Sequence, residues 1–339
     1  MGKTLLEISK EIGVSTATIS RVLNGETNVA DETKTRVLEA LESSGYTKRA
    51  RRRSAELRNS GTVLIIAGQL HNPIILGFID GIRQRLAEEG MRSVISLSDY
   101  DATVECDTLR YAAKNGFSGI FMLNAIENRK LVELISEIKT PIIFVNRYLR
   151  SVDTDVVTVD NYRCGYLATE YLIERGHRRI AHIAGPRTSV TCRDRTQGYL
   201  DAMRAHGIRV EDGFVFYGDR TYRSGCDFGS ILWETPAEKR VSAVFSTTGL
   251  MAAGMVDVLR REGIRVPNDV SVICNDDYSR DYMPCPIDFT TFEQDPIMMG
   301  RTAAKLLLDR IDSPDHAPRR MVFPPSLKEH NSVVLMHKK

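Results

Sequence analysis

The side chains of this 339-residue chain that could do acid–base or metal chemistry are scattered. Asp276 and Asp277 form an adjacent carboxylate pair, but such a pair after a strand more often binds a ligand or caps a helix than serves catalysis. His177 and His182 lie five residues apart across a predicted loop-to-strand boundary, which is not metal-ligand spacing. The sequence contains no G-x-G-x-x-G, Walker A, G-x-S-x-G or H-E-x-x-H motif. We therefore predict no catalytic residues, no metal site and no cofactor.

The cysteines are also far apart and form no C-x-x-C pair, which favours neither a structural zinc site nor a disulfide framework. Reduced thiols of this kind are typical of a cytoplasmic protein. No apolar run approaches the roughly 20 residues that span a bilayer, and the first residues lack the apolar core of a signal peptide. We therefore expect a cytoplasmic protein with no membrane partner. The six cysteines are Cys106, Cys164, Cys192, Cys226, Cys274 and Cys285.

The charge is distributed unevenly along the chain. The chain as a whole carries 46 Lys and Arg against 44 Asp and Glu, a net charge of +2. Residues 1–60 carry +3 and the remainder −1, and residues 47–58 alone carry +5. A basic segment of this kind is often a solvated linker, but here it follows a helical region and precedes a strand. We interpret it as a connector that faces a polyanion.

Residues 1–46 are predicted to form three short helices. Apolar residues recur at helical spacing in three groups, which Gly13 and Asn24-Gly25 separate. Ser15 is predicted to cap the second helix. Two helices joined by a turn of about four residues form helix-turn-helix geometry, although a generic three-helix bundle would give the same pattern. The predicted inward faces are Leu5, Leu6, Ile8 and Ile12; Ile19, Val22 and Leu23; and Val37, Leu38 and Leu41.

From residue 62 onward, short apolar runs alternate with amphipathic helices, which predicts βαβ units of parallel sheets. A break near residues 156–161, where an extra short strand meets a new helix, favours two lobes. Two doubly wound lobes form a cleft at the carboxyl ends of their strands, where ligands bind. The predicted strands are Thr62–Ala67, Ser93–Leu97, Gly119–Leu123, Ile142–Val145, Ile180–Ala184, Phe214–Tyr217, Ala243–Ser246 and Val270–Cys274.

The segment Leu6–Gly25 strongly resembles the headpiece of LacI/GalR-type transcriptional regulators, and so do Thr33–Val37 and Gly45-Tyr46. Later blocks agree with the family in the same order, so that the match covers essentially the whole chain. They are Asn72-Pro73, Val159-Asp160-Asn161, Arg175–Pro186, Arg195-x-x-Gly198-Tyr199 and the segment Ile264–Val272.

The resemblance implies an α/β fold with an N-terminal three-helix helix-turn-helix headpiece and a two-lobed domain like a periplasmic binding protein, built on doubly wound parallel sheets. The headpiece is expected at 1–46, a hinge at 47–61 and the effector-binding and dimerisation domain at 62–339. The expected lobes are 62–159 with 291–319, and 160–290 with 320–339.

The resemblance also implies a transcriptional repressor. Its partners would be double-stranded operator DNA of near-palindromic sequence and a small carbohydrate effector, and it would form a homodimer or a tetramer. Two other classes compete with this interpretation: an α/β enzyme acting on a sugar-like ligand, and a solute receptor for transport. The receptor would need a signal peptide and no headpiece.

The second predicted helix presents short side chains to a major groove. Arg21 is placed to donate to guanine O6 and N7, a contact worth about 1–3 kcal/mol of discrimination. Ala17 is placed to touch a thymine methyl group, and Thr16 is too small to add much direct readout. A phosphate contact is the alternative role of Arg21. The expected phosphate or structural positions are Ser15, Thr18, Ser20 and Asn24.

The hinge differs from the family pattern. Members usually have a proline two residues after the tyrosine that corresponds to Tyr46, and a leucine nine residues after it that wedges into the minor groove. Here the proline is absent and Ala55 stands at the wedge position, with Leu57 the nearest leucine. An alanine would offset the cost of unstacking bases poorly. The hinge residues expected to contact DNA are Arg51, Arg52, Arg53, Ala55 and Leu57.

The effector cleft is assigned by resemblance. Arg195 and Asp276 match the arginine and aspartate with which the family usually holds its ligand. An arginine supplies a planar fork of donors and an aspartate accepts from hydroxyl groups, which suits a polyol or a carboxylate. An interlobe salt bridge is the alternative role of this pair. The full set of expected cleft residues is His71, Ile74, Ile75, Arg147, Asp160, Arg195, Arg220, Thr248 and Asp276.

Three departures from the family change the expected ligand. Ile74 and Ile75 stand where the family often has aromatic residues, and Thr248-Gly249 where it usually has Asn-Asp. Arg220 stands where an aromatic residue is common. The cleft is therefore expected to lose stacking faces and one carboxylate and to gain a cation, which favours a sugar acid or a phosphorylated sugar.

Overall fold

The N-terminal segment folds as three helices. The computed structural model describes residues 5–23, 29–44, 61–70, 72–276 and 285–336. The backbone N–H of Thr18 donates to the Ser15 hydroxyl over 3.1 Å, so that Ser15 caps the second helix as predicted. The helices are α1 (Leu5–Ile12), α2 (Thr16–Leu23) and α3 (Asp31–Ser43).

One face of each of these helices meets the other two in a small apolar core. The buried members are Ile8, Ile19, Val22, Val37 and Leu41. The prediction that Leu38 also faces inward is wrong, because its side chain is 40% exposed. Val37 and Leu41 lie one turn apart on the same helix face, whereas Leu38 is rotated away from it.

The first lobe contains a sheet of six parallel strands in the order β11-β5-β4-β3-β1-β2. Helices cover both of its faces, and for this reason strands such as β1 are buried along almost their whole length. Its elements are β1 (Thr62–Ala67), α4 (Pro73–Ala87), β2 (Arg92–Leu97), α5 (Ala102–Lys114), β3 (Gly119–Met122), α6 (Arg129–Glu137), β4 (Ile142–Val145), β5 (Asp155–Val159), α11 (Pro296–Asp312) and β11 (Arg320–Phe323).

The second lobe repeats this plan with the order β12-β10-β9-β8-β6-β7, and only β12 is antiparallel to its neighbour. None of the helices in the described ranges is long and apolar enough to cross a membrane. The elements are α7 (Asn161–Glu174), β6 (Ile180–Ala184), α8 (Val190–Ala205), β7 (Val215–Tyr217), α9 (Tyr222–Glu234), a 3₁₀ turn (Ala237–Lys239), β8 (Ala243–Ser246), α10 (Gly249–Arg261), β9 (Ser271–Asn275), β10 (Thr290–Glu293) and β12 (Ser326–Lys328).

The chain crosses between the lobes three times: after β5, after β10 and after β11. This corrects the expected lobe bounds. β10 remains in the second sheet as far as Glu293, and β11 belongs to the first sheet although residues 320–339 were expected in the second lobe. Between them, α11 packs its apolar face into the same core cluster as β1, which holds this segment in the first lobe.

Candidate DNA-binding face and ligand cavity

A cavity of about 260 Å³ lies between the lobes. Segments from both lobes line it, and most of them follow the carboxyl end of a strand, where doubly wound sheets bind ligands. The first lobe contributes Gln69, Asn72, Pro73, Ile74, Tyr100 and Asn146. The second contributes Thr191, Cys192, Arg195, Asp219, Arg220, Thr221, Tyr222, Thr247, Thr248, Leu250, Asp276 and Gln294.

The Arg195 side chain is fixed by three acceptors. Its Nε donates to Asn161 Oδ1 over 2.9 Å, and its Nη1 donates to the carbonyl oxygen of Thr247 over 2.8 Å. Its Nη2 lies 3.5 Å from Asp276 Oδ2. Only 7% of the side chain is exposed. The guanidinium is therefore held rigidly at the wall of the cavity.

Two glycines bring the helix that carries Arg195 close to its neighbour. A Cβ on Gly165 of α7 would lie 2.0 Å from the backbone oxygen of Arg195, and one on Gly198 of α8 would lie 2.1 Å from that of Tyr162. Only glycine permits this approach. The close packing of α7 on α8 thus sets the position of Arg195.

Asp276 completes the buried pair. Its Oδ2 accepts from the side-chain amide of Gln294 over 2.8 Å, and its Oδ1 from the backbone N–H of the same residue over 3.3 Å. Burial raises the pKa of the Asp276 carboxyl, and the Arg195 guanidinium and the Gln294 hydrogen bonds oppose this only in part. The backbone of Asp276 is left-handed, with φ of 52°, a strained conformation of the kind that clusters at ligand sites.

Arg220 and Tyr100 meet from opposite lobes. The Arg220 guanidinium lies 5.2 Å from the centre of the Tyr100 ring, and Arg147 lies 5.5 Å from the same ring. Within the described part of the chain, Arg220 has no ion pair and no hydrogen bond. Among these residues, its guanidinium is therefore left without a direct hydrogen-bond acceptor at the cavity, where it lies against the aromatic ring.

Five of the expected cleft residues line the cavity: Ile74, Arg195, Arg220, Thr248 and Asp276. The hydroxyl of Thr248 also caps α10 by accepting from the backbone N–H of Met251 over 3.3 Å. His71 lies outside the described residues.

The structure does not bring the other three to the cavity. Ile75 is buried in the apolar core of the first lobe, because it follows Ile74 on α4 and faces the sheet. Arg147 is buried and donates to Asn124 Oδ1 over 2.6 Å. Asp160 caps α7 by accepting from the backbone N–H of Arg163 over 2.9 Å.

The sequence prediction missed Tyr100, Asp219, Tyr222 and Gln294. The cleft is expected to lose stacking faces at positions 74, 75 and 220, but Tyr100 and Tyr222 supply aromatic rings from other positions. Asp219 supplies a second carboxylate; burial raises its pKa, but hydrogen bonds from Ser224 and Thr221 outweigh this and lower the pKa overall. Tyr100, Asp219 and Gln294 closely follow β2, β7 and β10, so their position after a strand was the available signal.

The exposed face of α2 carries the expected DNA contacts. Thr16, Ala17, Ser20 and Arg21 are exposed, and so is Ser15 just before the helix. Thr18 is half-buried because its hydroxyl hydrogen-bonds with that of Ser15 over 2.8 Å. The remaining expected contacts lie outside the described residues: Asn24, Arg51, Arg52, Arg53, Ala55 and Leu57.

The headpiece is held together by more than its apolar core. Arg36 of α3 donates through Nη2 to the carbonyl oxygen of Ile12 at the end of α1 over 2.9 Å. This bond satisfies one of the carbonyl groups that a helix end leaves without an intrahelical partner. The bond joins α1 and α3 and does not involve the exposed side of α2, whose short side chains are of the kind that a major groove accommodates.

Two protein families match the chain. Residues 4–48 match bacterial regulatory proteins of the lacI family, and residues 169–333 match a periplasmic binding protein-like domain. The regulator CelR of Thermobifida fusca is 33% identical over 94% of this chain and 95% of its own. The HTH-type transcriptional repressor PurR of Aliivibrio fischeri (strain MJ11) is 28% identical over 98% of both chains.

Solved structures of transcriptional regulators are similar to this chain as well. A complex of the transcriptional regulator CelR with cellobiose has a TM-score of 0.73 and 32% identity, covering 97% of this chain and 99% of its own. A LacI-family regulator from Lactobacillus casei with bound sucrose has a TM-score of 0.70 at 24% identity, covering 80% and 99%, and shows the fold alone.

These relatives are regulators rather than enzymes, which confirms the prediction that the chain is not an enzyme. The headpiece and the two-lobed ligand-binding domain expected from the sequence are likewise confirmed. The chain therefore belongs to the LacI family of DNA-binding transcriptional regulators.

Proposed function

We propose that this regulator is a dimeric repressor whose affinity for a near-palindromic operator is controlled by an anionic carbohydrate, a sugar acid or a phosphorylated sugar. The observation that carries the anionic class is Arg220. It stands at the cavity with no carboxylate partner among the described residues. A carboxylate or phosphate group would supply the missing counter-charge through the planar guanidinium.

The remaining groups suit the hydroxyls of a sugar ring. Asp276 accepts hydrogen bonds and Thr248 both donates and accepts, whereas Arg195 donates. The rings of Tyr100 and Tyr222 offer apolar faces to the C–H side of the sugar. Since these groups come from both lobes, the ligand would bind most tightly when the lobes are close together. Ligand binding would therefore change the balance between lobe arrangements, and with it DNA affinity.

The dimer is supported by the edge strand β2. It pairs with β1 on one side only. Val94, Ile95 and Leu97 on this strand are 47%, 42% and 43% exposed, and Leu76 of the neighbouring α4 is 37% exposed. An exposed apolar edge strand usually lies against another surface. A second copy there would give the molecule the two-fold symmetry that a palindromic operator mirrors.

Calorimetry on the full chain tests the ligand class. Glucuronate and glucose 6-phosphate are expected to bind, and Arg220→Met is expected to weaken them by about tenfold to a hundredfold, the worth of a hydrogen bond to a charged group. A gel shift with the DNA flanking its own gene, with and without the ligand, then tests regulation. Binding of neutral sugars alone would refute the anionic class.

A neutral disaccharide is the second candidate. It is favoured by Tyr100 and Tyr222 in the cavity and by the similarity to CelR, whose solved complex contains cellobiose. In that case Arg220→Met would leave cellobiose affinity almost unchanged, because an uncharged ligand does not need the cation. The same variant therefore separates the two candidates.

A further inference from the structure

A second cavity of about 450 Å³ lies on the first lobe and shares no lining residue with the ligand cavity. The segment between β4 and β5 forms one side, and the start of β11 forms the other. Three arginines and one aspartate are its charged lining residues, and two of the arginines, Arg150 and Arg319, also form ion pairs with carboxylates outside the lining. The lining residues are Tyr148, Leu149, Arg150, Val152, Asp153, Thr154, Val156, Pro318, Arg319 and Arg320.

The Arg319 guanidinium forms hydrogen bonds through only one of its three nitrogen atoms among the described residues. Its backbone N–H donates to Asp155 Oδ1 over 2.8 Å, and its Nη1 donates to Asp309 Oδ2 over 3.1 Å. Its Nε and Nη2 are buried and have no hydrogen-bond partner in the part of the chain that the structure describes. Buried polar groups are normally paired, so these two N–H donors call for acceptors, and a charged acceptor forms the stronger hydrogen bond with a guanidinium.

The position of the two orphaned atoms identifies that partner. Nε and Nη2 form one edge of the guanidinium plane, and two parallel N–H groups on such an edge bind a carboxylate or phosphate bidentately. Because Nη1 already donates to Asp309, the edge formed by Nε and Nη2 is the part of the guanidinium that remains for a bidentate partner.

The other charged groups at this cavity reinforce the preference for an anion. Arg320 is exposed, lies 4.1 Å above the Tyr148 ring, and has no ion pair or hydrogen bond within the described ranges. Arg150 uses Nη2 to bind Asp194 of the second lobe over 2.6 Å. Asp153 is the opposing charge, and it is exposed to water.

We propose that this cavity is a binding site for a small oxyanion, namely phosphate or the phosphate group of a phosphate monoester. The anion is held bidentately by the Nε and Nη2 edge of Arg319, with Arg320 as a second cation. This site is separate from the interlobe cavity, because the two cavities have no lining residue in common.

The test is calorimetric titration of the full chain with inorganic phosphate, at an ionic strength held constant with chloride. It is done in an Arg220→Met background, which leaves the interlobe cavity only Arg195, whose guanidinium is already held by Asn161, Thr247 and Asp276. We expect saturable binding that Arg319→Lys weakens at least tenfold, because lysine keeps the charge but lacks the paired N–H groups. Asp153→Asn, which removes the opposing charge, is expected to bind phosphate several-fold more tightly.

Arg320→Met is a second variant, for the case in which Arg319→Lys does not fold. Arg320 is exposed, so its replacement is expected to weaken phosphate binding without unfolding the lobe. A parallel titration with methyl phosphate separates the two sources: equal affinity indicates a site open to phosphate esters, and binding of inorganic phosphate alone indicates the free ion. The proposal is overturned if phosphate does not bind, if Arg319→Lys binds it as tightly as the parent, or if Asp153→Asn weakens it.

Discussion

At the scale of single residues, the Asp276 carboxyl lines the ligand cavity, and we propose that its protonation controls ligand affinity. Burial raises its pKa, and the nearby Arg195 guanidinium only partly counters this. A carboxyl whose pKa is raised in the folded state binds its proton more tightly than the unfolded chain does. Stability therefore decreases as the pH rises through this raised pKa. The ionised form, however, is the one that accepts hydrogen bonds from a ligand at both oxygens.

We therefore predict that ligand affinity falls as the pH is lowered, beginning above the ordinary titration range of a carboxyl group. One linked proton allows at most about a tenfold change per pH unit. Asp276→Asn should abolish this pH dependence and weaken binding at neutral pH by about tenfold to a hundredfold. Calorimetry between pH 7.5 and 5, with a ligand that does not titrate there, measures both effects. A pH dependence that persists in Asp276→Asn would assign it to another group.

Some of the residues that line the cavity can be predicted from the sequence, and others cannot. Arg195 and Asp276 were predicted because they stand in recognisable motifs. Tyr100 was not, since its place depends on a loop in which Asp99 and Tyr100 both have left-handed backbones, with φ of 47° and 60°. Nothing in their residue types requires that conformation, which costs energy in residues other than glycine. Arg147 was misplaced because its partner Asn124 lies 23 residues away in the chain.

At the scale of elements, α8 connects the ligand cavity to a polar contact between the lobes. Asp194, next to Arg195, accepts from Arg150 Nη2 over 2.6 Å and from the Tyr148 hydroxyl over 3.1 Å. Arg150 and Tyr148 belong to the first lobe, whereas Asp194 lies in α8 of the second lobe. These bonds exist only when the lobes are close together, so they favour the arrangement that encloses the cavity.

Asp194→Asn is predicted to weaken ligand binding by about two- to fivefold. The expected effect is small because Arg150 is 59% exposed, and ion pairs at such positions are worth at most about 1 kcal/mol. It should also fade at high salt. The control is Asp107→Asn, which removes a 2.7 Å ion pair with Arg110 inside a single lobe. Calorimetry at two salt concentrations compares them, and equal effects of the two variants would contradict the interlobe role.

Strand prediction succeeded where strands are apolar and buried on both faces. The bounds of β1, β4, β6 and β8 in the structure are those read from the sequence. The sequence gives no comparable apolar signal for β11 and β12, which lie at sheet edges and expose most of their residues. The second crossing follows β10 and the third lies between β11 and β12, and none of these three strands is among the predicted ones, so the predicted lobe bounds are displaced. β11 and β12 are short and exposed, so they show neither a buried apolar run nor a clear periodicity.

On the scale of the whole molecule, two copies must present two headpieces to one operator. Ile95→Asp places a charge on the exposed edge of β2, where we propose the second copy to lie. Burying an unpaired carboxylate at an interface is costly, so this variant is predicted to be monomeric by light scattering and to bind operator DNA at least a hundredfold more weakly. Lys114→Asp, an exposed change at the end of α5, is the control. A dimeric Ile95→Asp would show that the interface lies elsewhere.

The uneven distribution of charge along the molecule predicts how its DNA binding depends on salt. The net charge of +2 conceals a charge of +3 in residues 1–60, within which residues 47–58 alone carry +5. Arg51, Arg52 and Arg53 lie outside the described residues, and their charge is the reason to expect phosphate contacts. Each phosphate contact that a cation makes releases counterions and adds about 0.9 to the slope of log affinity against log salt. Replacing all three arginines by alanine should therefore weaken binding to every DNA sequence and flatten this slope.

Fluorescence anisotropy with an operator and with an unrelated duplex, at several salt concentrations, measures the slope for both. The matched control replaces three cations of the first lobe, Lys114, Arg129 and Lys130, which are all exposed. This variant loses the same net charge at positions that lie outside both the headpiece and the basic connector. If the slope changes equally in the two variants, the general field of the protein is responsible. If only the first variant changes it, the basic connector contacts the phosphates itself and does so without regard to sequence, which leaves base recognition to the exposed face of α2.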